Sequence, residues 1–112
     1  MFAHKLKTTI ANFGIAHPEH VGGCNLAMLF INTLITTCLP DEKACLLDPD
    51  TGGITLSWSR DGDSLSVLIV DGKLSWVASN GSGVIGKDNA SYYDPCLHAH
   101  IARLSGYSIH KA

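Results

Sequence analysis

The sequence predicts an α+β domain: a three- to four-stranded antiparallel meander packed against one apolar helix, with a short C-terminal helix. Three observations predict it. The stretch from Val21 to Pro40 carries no charge and is dense in apolar residues at helical spacing. From Ile54 onward the hydrophobic period changes to two. Two Asp-Gly pairs, Asp61-Gly62 and Asp71-Gly72, then interrupt the alternating segment where hairpin turns belong.

The elements follow in order. Over residues 1–16, Phe2, Leu6, Ile10 and Phe13 recur at three- to four-residue spacing, which suits an amphipathic helix. Thr8, Thr9 and Ile10 suit a strand equally, so both assignments stay open, and Gly14 is expected to end the element. His17-Pro18-Glu19-His20 is a helix entry, because proline is tolerated in a first turn and Glu19 complements the dipole there. Gly22-Gly23 weakens that start, so the stable helix is expected over Cys24–Leu39 and to stop at Pro40. Its apolar residues cover more than one face, which predicts packing on several sides or one side kept for a partner.

Residues 41–50 read as a polar connector ending in the turn signal Asp48-Pro49-Asp50. Ile54, Leu56 and Trp58 then alternate with Thr55 and Ser57. Leu65, Val67 and Ile69 form one face of a second strand, and Leu74 and Trp76 one face of a third that ends at Ala78. A greasy face and a Ser/Thr face are expected of a sheet covered on one side. Residues 80–89 read as a glycine-rich loop. Asp94-Pro95 is an N-cap followed by a first-turn proline, Leu97, Ile101 and Leu104 form a buried stripe, and Gly106 is the expected stop.

Length and composition bound the function. The 112 residues make one domain, residues 1–112, and 46% hydrophobic against 16% charged content excludes a disordered chain. A net charge of −2 argues against direct nucleic-acid binding, which needs clustered Lys and Arg. Asn25, Asn32, Thr33, Thr36 and Thr37 interrupt the uncharged run, whose apolar part falls short of the roughly 20 residues of a membrane span. No apolar segment of signal-peptide type follows Lys5 and Lys7, so a cytoplasmic protein with reduced thiols is expected. Cys24 and Cys38 would lie about 21 Å apart along one helix, too far to bridge.

Four constellations are candidate sites. Gly81-Ser82-Gly83-Val84-Ile85-Gly86-Lys87 matches two phosphate-binding spacings. Both need a buried strand before and a helix N-terminus after, and Asp88 stands where a hydroxyl is required for magnesium. The loop is therefore expected to be a turn or a partner-moulding segment. Cys96 and His100 share a helical face, with His98 pointing elsewhere; they permit a metal or thiolate pair but lack further ligands and a pocket. Trp58 and Trp76 are core candidates that become aromatic anchors if they face outward with Tyr92 or Tyr93. Acidic turns, among them Asp61 and Asp63, are solubilising or steer association with a basic surface.

The segments Leu39-Pro40, Asp48-Pro49-Asp50, Gly52-Gly53-Ile54-Thr55-Leu56-Ser57-Trp58 and Leu65-Ser66-Val67-Leu68-Ile69 with Asp71-Gly72-Lys73-Leu74 carry a resemblance. Over about residues 17–78 the chain resembles a loose group of small uncharacterised bacterial and mobile-element proteins. In that group a helix precedes a "DGGI-x-L-x-W" strand and a "L-x-V-x-I-x-x-DG" hairpin. The resemblance implies helix plus meander and no catalytic residues. This chain departs from it in its more apolar helix, in Ser57 where an acid is frequent, and in everything after Ala78.

The expected function is a small non-enzymatic protein-binding module. Within that class the expectation is an accessory or phage-type inhibitor, anti-CRISPR-like or antitoxin-like, that occupies a partner protein's surface. The partner is another protein, with a host nucleic-acid-binding complex as one form of it, and no cofactor or metal is expected. The candidate partner-binding residues are Leu29, Phe30, Trp58, Asp61, Asp63, Trp76, Tyr92 and Tyr93. The alternatives are a small metal- or thiol-dependent enzyme using Cys96 and His100, and a homodimer formed through the multi-sided helix.

Overall fold

The computed structural model describes residues 2–34 and 45–105, with side chains from Leu6 onward. Helix α1 spans Phe2–Ala16, a 3-10 turn spans Pro18–His20, and α2 spans Val21–Asn32. Strands β1 Leu46–Leu47, β2 Ile54–Arg60, β3 Asp63–Val70, β4 Lys73–Asn80 and β5 Gly83–Ala90 follow, and α3 spans Pro95–Leu104. The expected continuation of the second helix to Leu39, the stop at Pro40 and the stop at Gly106 lie outside the described residues.

The five strands form one antiparallel meander in the order β1-β2-β3-β4-β5. This is the expected architecture with one or two more strands than anticipated. Both Asp-Gly pairs make two-residue turns with positive φ at both centres, Asp61 and Gly62, then Asp71 and Gly72. That backbone twist matches the twist of the strands it joins. The register stacks inward-facing residues into rows: Leu56 opposite Val67 opposite Trp76, and Ile54 opposite Ile69 opposite Leu74. All six are buried.

The N-terminal ambiguity resolves to helix. Leu6, Ile10 and Phe13 lie on one side of α1 and are buried, so burial of that stripe outweighs the strand propensity of Thr8 and Thr9. Gly14 does not end α1, which runs on to Ala16. It marks where α1 passes α2: a Cβ at Gly14 would stand 3.3 Å from the Cys24 sulfur. The helix entry at Pro18 is a 3-10 turn feeding α2, which starts at Val21 rather than Cys24. His20 fastens that entry to the sheet. Its Nε2 lies 2.8 Å from the Pro49 carbonyl oxygen, and its ring covers Gly52 so closely that a Cβ there would be 2.4 Å from Nδ1.

The turn at Asp48-Pro49-Asp50 forms as expected. The Asp48 carboxylate accepts from the Asp50 amide at 2.9 Å and the Thr51 hydroxyl at 3.0 Å. β1 emerges from the expected polar connector because Leu46 and Leu47 pair with Thr55 and Ile54.

Helices α2 and α3 lie on one face of the sheet, against β2 and β3, and α1 packs on α2. On α2, Cys24, Ala27, Phe30 and Ile31 are buried, and Leu26 and Met28 are half-buried. Val21 and Leu29 are its exposed large apolar residues. Among the described residues of the apolar helix most of the large side chains are taken up by the core, and of the predicted partner-binding residues on it Leu29 is exposed.

Leu65 is fully buried at the centre of the sheet, whereas Leu29 is 58% exposed. Leu65→Ala is therefore expected to lower the free energy of unfolding by about 2–5 kcal/mol. Leu29→Ala is expected to change it by less than about 0.5 kcal/mol. Urea denaturation of the two variants against the parent checks both.

Candidate protein-interaction site

The β4–β5 hairpin turns at Gly81-Ser82. The Asn80 side-chain oxygen accepts from the Ser82 amide at 2.7 Å and the Gly83 amide at 3.1 Å, which fixes the turn. The expected glycine-rich loop over 80–89 is therefore a strand, β5. The Asn80-Gly81 and Ser82-Gly83 dipeptides are turn signals at the end of β4, so the hairpin was present in the pattern. The low apolar content of Gly83–Ala90 hid the strand behind it.

The phosphate-like glycine spacing has a backbone explanation. Gly86 pairs with Val77, and a Cβ there would stand 2.7 Å from the Trp76 carbonyl oxygen. Only glycine lets β5 lie that close to β4. No helix begins at Lys87, which lies within β5; its ammonium lies 3.7 Å from Asp94 instead. A bulge shifts the β4–β5 register between Leu74 and Trp76, with Asn89 at φ 52° accommodating it.

β5 is an edge strand, and every residue from Gly83 to Asn89 is exposed on both of its faces. Val84 is 68% and Ile85 57% exposed. Because α3 lies over β2 and β3, an open groove of about 370 Å³ remains between β5 and the C-terminal half of α3. Ala78, Ile85, His100 and Arg103 line it together with the hairpin turn.

A connected set of polar side chains floors this region. Asp94 is the buried charged residue of the described chain, 5% exposed. Its Oδ1 accepts from the Cys96 amide at 2.9 Å, capping α3, and its Oδ2 accepts from the Trp76 indole N–H at 3.1 Å. The Trp76 ring packs against His100, with centroids 5.4 Å apart. The guanidinium of Arg103 donates to His100 Nδ1 at 2.9 Å and pairs with Asp63 through its other terminal nitrogen. With Nδ1 accepting, the neutral imidazole carries its proton on Nε2.

The eight sequence-predicted site residues fall into three groups. Phe30, Trp58 and Trp76 are in the core, so none of them presents a ring to a partner. Their alternation with small polar residues on a one-sided sheet, and the inward stripe of α2, bury them. Asp63 is tied to Arg103, and Tyr92 is half-buried against Phe30, with ring centroids 6.4 Å apart. Leu29, Asp61 and Tyr93 are exposed. They form no common patch: Asp61 lies at the β2–β3 turn, and Tyr93 follows the opposite end of β5. Val84 and Ile85 are the exposed apolar pair missing from the sequence reading.

Cys96 is exposed at the start of α3, while His100 faces Trp76 and Arg103. His98 Nε2 is 2.6 Å from the Tyr92 carbonyl oxygen, which orients that ring toward the chain's own turn. Among the described residues no three His, Cys, Asp or Glu side chains gather as metal ligands. No helix among them is long and apolar enough to cross a membrane. Comparison with protein-family models, curated proteins and solved structures finds no match to this chain.

Two groups in the network titrate away from their ordinary values. Burial, and then the Arg103 charge, hold His100 below the usual imidazole value. The Trp76 hydrogen bond, aided by the Cys96 amide and Lys87, holds Asp94 below the usual carboxylate value against its desolvation. A group whose folded pKa lies below its unfolded one stabilises the fold above the unfolded value and loses that contribution as pH falls. Stability should therefore decline in two stages on acidification, below about pH 6.5 and again below about pH 3.9. Thermal melts from pH 7 to pH 3 check this. His100→Gln should remove the upper stage. Asp94→Asn should shrink the lower one, leaving the part due to Asp48, whose carboxylate is also held low by its turn hydrogen bonds.

Proposed function

We infer that the protein is a non-enzymatic protein-binding module that accepts an extended segment of a partner along β5. The observation that carries this is the exposed edge strand itself: eight residues long, open on both faces, with Val84 and Ile85 beside a groove. The outward row of N–H and C=O groups on an edge strand is a template for another strand. Edge strands of monomers are usually blunted by charge. Here Lys87 and Asp88 guard the second half of β5, and Gly83–Gly86 carries no charge.

Backbone pairing would supply affinity, and the groove over Ile85 would select the partner's side chain on that face. The Asp63–Arg103–His100 set keeps its charges satisfied internally, so the groove offers shape and apolar contact more than free charge. This mode of action needs no chemistry: the bound partner is affected because its segment is occupied. An inhibitor or antitoxin-like role in the cytoplasm is the form of that function we favour, and the free thiols of Cys24 and Cys96 suit a reducing compartment.

Affinity purification from the source organism, quantified by mass spectrometry, tests the site. Wild type and Leu29→Asp should recover the same protein, and Ile85→Asp should lose it at least about tenfold while keeping its circular dichroism spectrum. In the complex, amide exchange should slow at Val84–Gly86. Equal recovery by all three proteins, or no protection in β5, would exclude β5 as the docking strand.

A further inference from the structure

The face of the sheet turned away from the helices has an unusual composition. Its residues on β2, β3 and β4 are Thr55, Ser57, Ser59, Ser64, Ser66, Leu68, Ser75, Val77 and Ser79, which share this side by register. Val84 and Gly86 continue it onto β5, opposite Ser79 and Val77. None of these positions is charged. The nearest charges on that side are at its margins, at Lys73, Asp88 and Asp48, and the Asp48 carboxylate is held by the Asp50 amide and the Thr51 hydroxyl. A solvated protein surface normally interleaves charges of both signs, whereas the centre of an interface is depleted of them.

Apolar residues cross the face as a diagonal stripe. Leu46 sits opposite Thr55, which sits opposite Leu68. Val77 is the diagonal neighbour of Leu68, and Val84 the diagonal neighbour of Val77. Leu46, Leu68, Val77 and Val84 are all exposed, Leu68 least at 41%. Beside Leu46 and Leu68 the face holds a depression of about 440 Å³, bordered also by Val70, Gly53, Thr51 and Asp48.

We propose that this face pairs with the same face of a second copy, forming a two-sheet sandwich around a twofold axis. The charge pattern selects that occupant. A partner with an ordinary surface would bury unpaired charges against a centre that offers no counter-charge, whereas a second copy brings charge only at the margins, where Asp48 is already hydrogen-bonded within its own turn. Serine and threonine hydroxyls both donate and accept, so like meets like without an orphaned group. Short serine side chains also permit the roughly 10 Å approach of stacked sheets. The size is adequate. Four strands spaced about 4.8 Å apart and eight residues long give about 500 Å² in projection. Side-chain relief raises the accessible area toward the about 800 Å² per partner of a standard interface. The pairing covers the Val84 side of β5 and leaves its outer backbone edge and its Ile85 side open to the function proposed for it.

Light scattering on the full chain after gel filtration, over a concentration series, provides the test. Wild type should show about twice the 11.9 kDa chain mass at the upper concentrations. Val77→Lys and Ser66→Lys, each on the face, should return it to the single-chain mass with an unchanged circular dichroism spectrum. Ile85→Asp, which alters the β5 groove instead, should leave the dimer intact. A wild type that stays at the single-chain mass throughout overturns the proposal. So does a dimer that survives both lysine variants, or one that is lost in Ile85→Asp, since either places the contact elsewhere.

Discussion

The structure depends on drying one face of a five-stranded sheet with three short helices. Inward-facing residues of β2, β3 and β4 are buried beneath α2, α3 and, behind α2, α1. Among the described residues these helices are the covering of the sheet. The helices are placed where the bulk is greatest, over the rows through Leu56, Val67 and Ile69. What lies beyond their reach follows from this placement. β5 extends past the covered area, and the opposite face has no helix among the described residues.

Asp94 shows how the boundary of the covered area is held. A buried carboxylate is tolerated only when it is hydrogen-bonded. Here one side chain caps α3, orients the Trp76 indole and lies near Lys87. It thereby joins the end of the covered sheet to the start of the helix that covers it. His20 has the corresponding part toward the β1 side of the sheet, where it fixes the turn before β2 to the start of α2. Both contacts link segments far apart in the chain, and both use a polar atom at the rim of the core rather than within it.

Among the described residues, the exposed apolar side chains are not where the start of the richest apolar segment suggests. The uncharged run beginning at Val21 looks like the source of a partner surface, yet Cys24, Ala27, Phe30 and Ile31 are spent inside. Among the described residues, five of the nine exposed large hydrophobic side chains lie on strands: Leu46, Leu68, Val77, Val84 and Ile85. They are scattered singly along the sequence among serines and glycines. The fold gathers them onto one strand edge and one sheet face, the surfaces on which the two proposals rest.

The sequence by itself determined the local structure wherever a short-range rule was decisive. Alternation placed Leu65, Val67 and Ile69 inward, the Asp-Gly pairs made their turns, and Asp94-Pro95 began α3, because each depends on neighbours within a few residues. Tertiary structure decided the rest. Whether residues 2–16 were helix or strand turned on having α2 to pack against. Whether Gly83–Ala90 was loop or strand turned on β4 offering its edge, with Gly86 fitted to the Trp76 carbonyl. Which apolar residues remained exposed depended on how far the helices reach across the sheet. That is a property of the assembled layers, and no window of sequence contains it.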